Sequence, residues 1–162
     1  MHLKRYTESY VAPVRIKAVR DHLVDVGLPA STTLFVAAER ATGLEEVSLA
    51  KETETILNIG YATEGEGFYG INCRDGSVVY IESHSHALFF VNSAPSAFVA
   101  CLALFYDENS RVSSESDPED FEKAARSIAR QIHDIDEPAL VEGGFWQDLL
   151  FDVALGDYAE EA

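Results

Sequence analysis

The stretch LFFVNSAPSAFVACL, residues 88–102, predicts a buried strand that turns directly into a helix. Residues 88–91 form a short apolar run, which is typical of a strand covered on both faces. Asn92 or Ser93 can cap the helix that follows, and Pro95 is compatible with the first turn of that helix. The helix then continues with an apolar stripe at helical spacing, formed by Phe98, Cys101, Leu102 and Phe105. The stretch contains no evident catalytic group and therefore predicts a scaffold junction.

Towards the N-terminus, the pattern predicts a helix and then a series of strands. Apolar residues at spacings of three and four predict a helix over residues 14–26, which Gly27 and Pro29 end. A short strand is predicted over residues 34–38, and residues 39–55 are predicted to be a loop with a weak strand or turn.

Three further strands are predicted over residues 56–61, 68–73 and 77–82. Asp75 and Gly76, between the last two, are a hairpin signal because they suit the positive-φ positions of a tight turn. Together with residues 88–91, these strands predict a mainly antiparallel meander, which short connections favour.

Towards the C-terminus, the helix of residues 94–106 is followed by an acidic, serine-rich break and two more helices. Residues 116–119 open the first with a cap, a first-turn proline and acidic side chains at the positive helix end. It ends at residues 136–138, and its predicted core face is Phe121, Ala125, Ile128, Ile132 and Ile135. The last helix follows two glycines, with Trp146, Leu149, Leu150 and Val153 on its apolar side. Residues 156–162 are predicted to be a frayed tail.

These elements predict an α+β fold, in which a central, mainly antiparallel sheet is covered by helices. The chain of 162 residues is most simply one domain, residues 1–162, with its core over about residues 14–155. Hydrophobic residues make up 47% of it, which is enough for a substantial core.

The net charge of −16 is concentrated in the last third of the chain. Residues 107–162 carry 4 basic and 16 acidic side chains. Such a surface repels phosphates, which argues against direct binding of nucleic acid or of an anionic membrane. It favours a cationic partner, because a surface of one sign steers the opposite sign towards it. The alternative is a solvated acidic surface that only keeps the protein soluble.

Features that report on compartment favour the cytoplasm. The apolar runs fall short of the ~20 residues needed to span a bilayer, and the first residues lack the apolar run of a signal peptide. Cys73 and Cys101 each lie in apolar sequence and are predicted to be buried free thiols of a reducing compartment.

The ordered landmarks of this chain resemble the SUKH superfamily and, within it, the fourth of its bacterial immunity-protein subgroups. In chain order, they are Gly27-Leu28-Pro29, Ile59-Gly60, Ile71, Asp75-Gly76-Ser77-Val78, Asn92-Ser93, Phe98-Val99, Leu102, Asp136, Pro138-Ala139-Leu140, Trp146 and Leu149-Leu150. The resemblance covers about residues 14–155. The family pattern usually has a second serine and a leucine where this chain has Ala94 and Pro95, and Pro95 still fits a first helical turn.

The resemblance implies an immunity protein of a polymorphic toxin system. Such proteins neutralise a cognate toxin domain, often a nuclease or a nucleic-acid deaminase, in the cell that makes it. They act by protein–protein contact and are not enzymes. The superfamily also includes eukaryotic and viral proteins thought to act as interaction scaffolds, so the resemblance implies binding more firmly than it implies a particular toxin.

Catalytic and metal-binding patterns are weak in this sequence. His84 and His86 fall on one face if their segment is extended, as a metal pair requires, but no convincing third ligand lies nearby in sequence. Cys73 with either histidine is a thiolate pair without an orienting group. The motifs of zinc, phosphate-loop and serine-hydrolase sites are missing. We therefore expect no catalytic residues, no cofactor and no metal.

The candidate partner-binding residues are acidic side chains of the last third together with one aromatic: Asp117, Glu119, Asp120, Asp134, Asp136, Glu137, Asp148, Asp152 and Trp146. Trp146 is a candidate because tryptophan is enriched at interface hot spots, although its helical spacing from Leu149 and Val153 favours the core. Phe89 and Phe90 point to opposite faces of their strand, so one of them is also open to a partner if helices cover only one face.

The sequence supports three hypotheses about function, and in each of them the protein is expected to be a monomer or a weak dimer. The first is an immunity protein whose acidic surface occupies the basic substrate cleft of a toxin domain. The second is a scaffold with several weak partners. The third is a small metal-dependent hydrolase built around His84 and His86.

Overall fold

A six-stranded antiparallel sheet dominates the first part of the fold. The computed structural model describes residues 2–38, 43–49, 52–159 and 161. The chain divides into two compact units, Met1–Val99 and Ala100–Ala162. The α+β class and the mainly antiparallel sheet are confirmed. The assignment of residues 1–162 to one domain stays a prediction.

The strands of the first unit are β1 (Leu3–Lys4), β2 (Leu28–Pro29), β3 (Phe35–Ala37), β4 (Leu44–Ser48), β5 (Thr53–Ala62), β6 (Gly67–Asn72), β7 (Val78–Glu82) and β8 (Leu88–Asn92). β1 and β2 form a separate two-stranded ladder, while the large sheet has the order β3-β5-β6-β7-β8. β4 also pairs with β5, and every pairing is antiparallel. The predicted meander is thus confirmed. Part of the segment predicted as loop and weak strand, residues 39–42, 50 and 51, lies outside the described residues.

The hairpin between β6 and β7 has the predicted turn chemistry. The Asp75 carboxylate accepts hydrogen bonds from the Ser77 backbone N–H at 2.9 Å and from its hydroxyl at 2.6 Å. Gly76 has a φ of +79°, and a Cβ there would lie 2.7 Å from a methyl group of Val19. Glycine is therefore required both by the backbone conformation and by the space available.

Two apolar groups of side chains pack on opposite faces of the sheet. On one face, the rings of Phe35, Tyr69 and Phe98 meet with centroid distances of 5.3–5.5 Å. On the other face, the buried cluster comprises Val47, Ile56, Phe68, Val79 and Ile81. These aromatic and branched side chains suit a pleated surface that is buried, which accounts for the strand pattern in the sequence.

The last strand is less buried than its sequence predicts. Only Val91 and Asn92 of β8 are buried, while Leu88, Phe89 and Phe90 are half-buried. The prediction that residues 88–91 are covered on both faces is therefore wrong for three of its four residues. The cause is strand order, because β8 lies at the end of the sheet.

The N-terminal segment contains one predicted helix and one that the sequence did not indicate. Helix α1 (Glu8–Val11) begins after Thr7, whose hydroxyl accepts from the Tyr10 backbone N–H at 3.3 Å. Helix α2 (Lys17–Asp21) continues into a π-helical turn (His22–Val26) and ends at Gly27, whose φ is +89°. This end matches the prediction, although the helix begins three residues later than expected.

The described helices of the second part are α3 (Pro95–Asn109), which crosses the boundary between the units, α4 (Pro118–Asp136), a 3-10 turn (Glu137–Leu140) and α5 (Phe145–Leu155). All three predicted helices are confirmed. In α3, the predicted stripe Phe98, Cys101, Leu102 and Phe105 is buried. In α4, Ala125, Ile128 and Ile132 are buried as predicted.

Two predictions at the ends of α4 and α5 are wrong. Ile135 was expected in the core but is 40% exposed, because Asp136, one turn after Ile132, takes the inward position instead. The tail is ordered, and not frayed, from residue 156 to residue 158. The Asn109 side-chain amide donates a hydrogen bond to the Tyr158 carbonyl, and the Tyr158 ring packs edge-on against Phe105.

Candidate partner-binding surface

The predicted acidic residues separate into three places, namely the two ends of α4 and the outward side of α5. At the start of α4, Asp117 occupies the N-cap position, and Glu119 and Asp120 lie in the first turn, where the helix dipole stabilises negative charge. All three are exposed. The Lys123 ammonium lies 3.2 Å from the Glu119 carboxylate and 3.7 Å from that of Asp120. The charges of this cluster are therefore partly neutralised within the helix.

At the other end of α4, Asp134 and Glu137 are exposed and flank His133, whose ring nitrogens lie 3.8 and 3.7 Å from their carboxylates. Asp136 is only 8% exposed. Asp136 therefore faces inward at the helix end, and its assignment as a contact residue stays a prediction.

Basic side chains occupy the middle of the same outward side of α4. Lys123, Arg126 and Arg130 recur at spacings of three and four and are all exposed. Arg126 also pairs with Glu122 at 3.2 Å. The outward side of α4 is therefore mixed in sign, with acids at its ends and cations between them.

Trp146 lies in the core of its unit. It is fully buried, with its ring centroid 6.4 Å from that of Phe105 and 5.4 Å from that of Phe145. This agrees with the core alternative read from its helical spacing. Trp146 therefore leaves no side-chain surface for a partner in this conformation, and its assignment as a contact residue stays a prediction.

The outward side of α5 exposes two large apolar side chains. Phe151 is 66% exposed and Leu155 is 61% exposed. Trp146, Leu149 and Val153 face inward, and Leu155 is two and a half turns beyond Trp146, on the opposite side of the helix. We define the α5 outer face as Asp148, Phe151, Asp152 and Leu155.

Two of the predicted carboxylates lie beside these apolar side chains. Asp148 is exposed and Asp152 is half-buried. Asp148 lies three residues before Phe151, and Asp152 three residues before Leu155, so each carboxylate neighbours an exposed apolar side chain on the helix surface. Within the part of the chain that the structure describes, neither carboxylate forms an ion pair. These acids therefore differ from Glu119 and Asp120 of α4, which share Lys123.

The sequence contains a signal for this face that the prediction did not use. Eight of the eleven residues of α5, FWQDLLFDVAL, are apolar, more than one buried stripe requires. The stripe of Trp146, Leu149, Leu150 and Val153 leaves Phe151 and Leu155 unassigned. They are exposed because their positions around the helix axis lie away from the inward side.

The remaining candidate groups belong to the first unit. His84 and His86 lie in the exposed turn between β7 and β8, and His84 Nε2 pairs with the Glu66 carboxylate. Among the described residues, no three His, Cys, Asp or Glu side chains lie together as a metal site requires. The histidine pair therefore gains no third ligand from the described chain.

The two cysteines are buried thiols outside any disulfide bond among the described residues, as predicted. Burial raises the pKa of the Cys73 thiol, and the nearby Arg15 opposes that rise only in part. The thiol form is therefore favoured over the nucleophilic thiolate. Cys73 opens onto a polar cleft of about 370 Å³ that also contains Arg15, Glu54 and Arg74.

Two charged groups of that cleft, Glu54 and Arg74, pair with each other. Glu54 is 6% exposed, and one of its carboxylate oxygens accepts a hydrogen bond from the Asn72 amide at 3.1 Å. The other pairs with the Arg74 guanidinium, which also reaches Glu52 at 2.9 Å. This arrangement stabilises a buried carboxylate and leaves Arg74 engaged.

The fold and its exposed groups together define the class of the protein. It is an α+β protein whose last two helices expose charged and apolar side chains, a combination that suits contact with another protein. No helix among the described residues is long and apolar enough to cross a membrane.

The chain belongs to the SUKH-4 immunity protein family, whose family model matches residues 2–152. This membership confirms the resemblance found in the sequence and supports an immunity-protein role, which implies binding of a cognate toxin. The family is generally non-catalytic. Searches of curated proteins and of solved structures gave no significant match.

Proposed function

We propose that this chain neutralises a nucleic-acid-directed toxin domain, a nuclease or a deaminase, by covering its basic substrate cleft with an acidic surface. The observation that carries the proposal is the charge of residues 107–162, which hold 16 acidic and 4 basic side chains. Family membership supplies the immunity role, and the charge supplies the class of target.

The physical reason is competition for one electrostatic site. A domain that binds nucleic acid concentrates lysine and arginine where the phosphates lie. An acidic protein surface is attracted to the same site, and its association is accelerated when the two potentials are complementary. Occupying the cleft excludes the substrate, so inhibition needs no catalytic group on this chain. We expect this to occur in the cytoplasm of the producing cell, before the toxin is exported.

The proposal is tested in two stages. The tagged chain is first used to capture proteins from the lysate of its own source at low and high salt, and candidate toxin domains are identified by mass spectrometry. Each candidate is then expressed in a naive host with and without this chain. The purified pair is finally assayed for cleavage or deamination of nucleic acid at increasing molar ratios.

The expected result is one dominant partner that is toxic alone, harmless when co-expressed, and inhibited at one chain per toxin domain. Several weak partners without toxicity would favour the scaffold alternative. Capture of no toxin from cells that demonstrably express one would contradict the proposal. An inhibited toxin whose target is neither DNA nor RNA would retain the immunity role and reject the charge argument.

A further inference from the structure

We infer that the α5 outer face docks into an apolar hollow with a basic rim on the toxin domain, with Phe151 as its main apolar contact. This inference rests on the proposed function and specifies the surface that performs it. The occupant is a partner whose lysine or arginine side chains surround a site that admits an aromatic ring.

The first support is the exposure of Phe151 and Leu155. Phe151 is 66% exposed and therefore leaves a large apolar surface in water, and Leu155, one turn further along, adds to it. Aromatic side chains are enriched at the centres of protein–protein interfaces. On α5, the inward stripe already supplies the packing of the helix, so neither side chain is needed for the core of its unit.

The second support is the charge beside these apolar groups. Asp148 and Asp152 lie next to Phe151 and Leu155 and have no ion pair within the described residues. A central apolar contact with polar groups at its rim is the usual anatomy of an interface. Because the rim is anionic, the complementary partner is cationic around the same contact.

The same charges argue against a second copy of this chain as the occupant. Pairing two copies of α5 through Phe151 and Leu155 brings the Asp148 and Asp152 carboxylates of one copy close to those of the other. In each copy, residues 107–162 also carry an excess of acidic over basic side chains. The repulsion between two such segments adds to the local effect of Asp148 and Asp152.

The acids of α4 provide an internal contrast. Glu119 and Asp120 share Lys123, and Asp134 and Glu137 flank His133. A partner's cation would compete with Lys123 for the carboxylates of Glu119 and Asp120. The carboxylates of the α5 outer face have no such competitor among the described residues. The α5 outer face also exposes apolar side chains, whereas the middle of the outward side of α4 is basic.

The test measures binding of the purified toxin domain identified by neutralisation, with F151A, L155A and V141A compared with the unmodified chain. Val141 is 49% exposed, belongs to the same unit and lies outside α5, so V141A is a matched control for loss of exposed apolar surface. Thermal melting verifies that each variant is folded. F151Y, which keeps the ring, tests whether the ring itself is recognised.

We expect F151A to weaken binding about 30-fold, mainly through faster dissociation, and L155A about 10-fold. V141A should change the dissociation constant less than about threefold, and F151Y should retain most of the affinity.

Three outcomes would overturn the inference. If F151A and L155A bind and inhibit like the unmodified chain, the α5 outer face is not the contact, while the proposed function stands. If F151A instead converts a dimer to a monomer in sedimentation and leaves toxin binding unchanged, the occupant is a second copy. If the unmodified chain binds and inhibits no toxin domain, the proposed function fails and this assignment fails with it.

Discussion

Helices α4 and α5 pack against each other, carry many of the acidic residues of the chain, and present different chemistry to solvent. On α4, the outward side is charged, and the Glu119 and Asp120 carboxylates of its first turn share Lys123. On α5, the outward side is apolar at Phe151 and Leu155, and the carboxylates beside them are not in ion pairs within the described chain. The difference shows that counting acids does not identify a binding surface. What matters is which carboxylates are unengaged and what lies beside them.

The largest expected effect on stability distinguishes the inward side of α5 from its outward side. Replacing the fully buried Trp146 by alanine removes packing against Phe105 and Phe145 and should lower the free energy of unfolding by about 3–5 kcal/mol. F151A, on the opposite side, should change it by less than about 0.5 kcal/mol. Urea unfolding of both variants measures this. Comparable losses in the two variants would mean that Phe151 belongs to the core.

A smaller effect of the same kind is expected on α4. Ile132 is fully buried and Ile135, three residues later, is 40% exposed. I132A should therefore lower the free energy of unfolding by about 2–4 kcal/mol, and I135A by less than about 1 kcal/mol. If I135A also reduces toxin affinity as F151A does, the contact extends to the end of α4 and the contrast between the helices is weakened.

The smallest expected effect comes from a third helical segment, the π-helical turn of residues 22–26. Burial lowers the pKa of His22 below its ordinary value of 6.5, and its Nε2 has no hydrogen-bond partner among the described residues. As pH falls below about 6.5, the unfolded chain binds a proton that the folded chain does not, so stability falls. Below the lowered pKa, the folded chain also binds a proton and the loss stops.

H22Q should remove this part of the pH dependence. Urea unfolding of the unmodified chain and of H22Q at pH 7.5 and at pH 5.5 provides the measurement, and the difference between the two proteins isolates the histidine. An identical loss of stability in both would show that His22 is not responsible. Toxin binding at pH 7.5 should be unaffected, because His22 is not part of the α5 outer face.

The sequence predicted the features that depend on local pattern. The four main strands, the Asp75–Gly76 hairpin, the glycine at the end of α2 and the three C-terminal helices all appear within a few residues of the predicted positions. Each has either a clear period or a turn residue with a specific conformational role, and such signals do not depend on the rest of the chain.

The features that the sequence did not predict depend on distant residues. The partial exposure of β8 follows from its place in the strand order, and Tyr158 is held by Asn109, which is 49 positions away in sequence. Helix α1 is too short to show a period. For the candidate site, seven of the eight predicted acids are accessible or half-buried. Which aromatic side chain of α5 is exposed, Phe151 or Trp146, depends on which side of the helix faces inward.

The most direct test compares two charge-matched double variants in stopped-flow association with the toxin domain. D148N/D152N removes two carboxylates from the α5 outer face, and D134N/E137Q removes two from the end of α4. We predict that D148N/D152N slows association about tenfold at low salt and weakens its salt dependence, while D134N/E137Q slows it less than about twofold. Equal slowing by both variants, or a larger effect of the α4 pair, would contradict the assignment of toxin recognition to the α5 outer face.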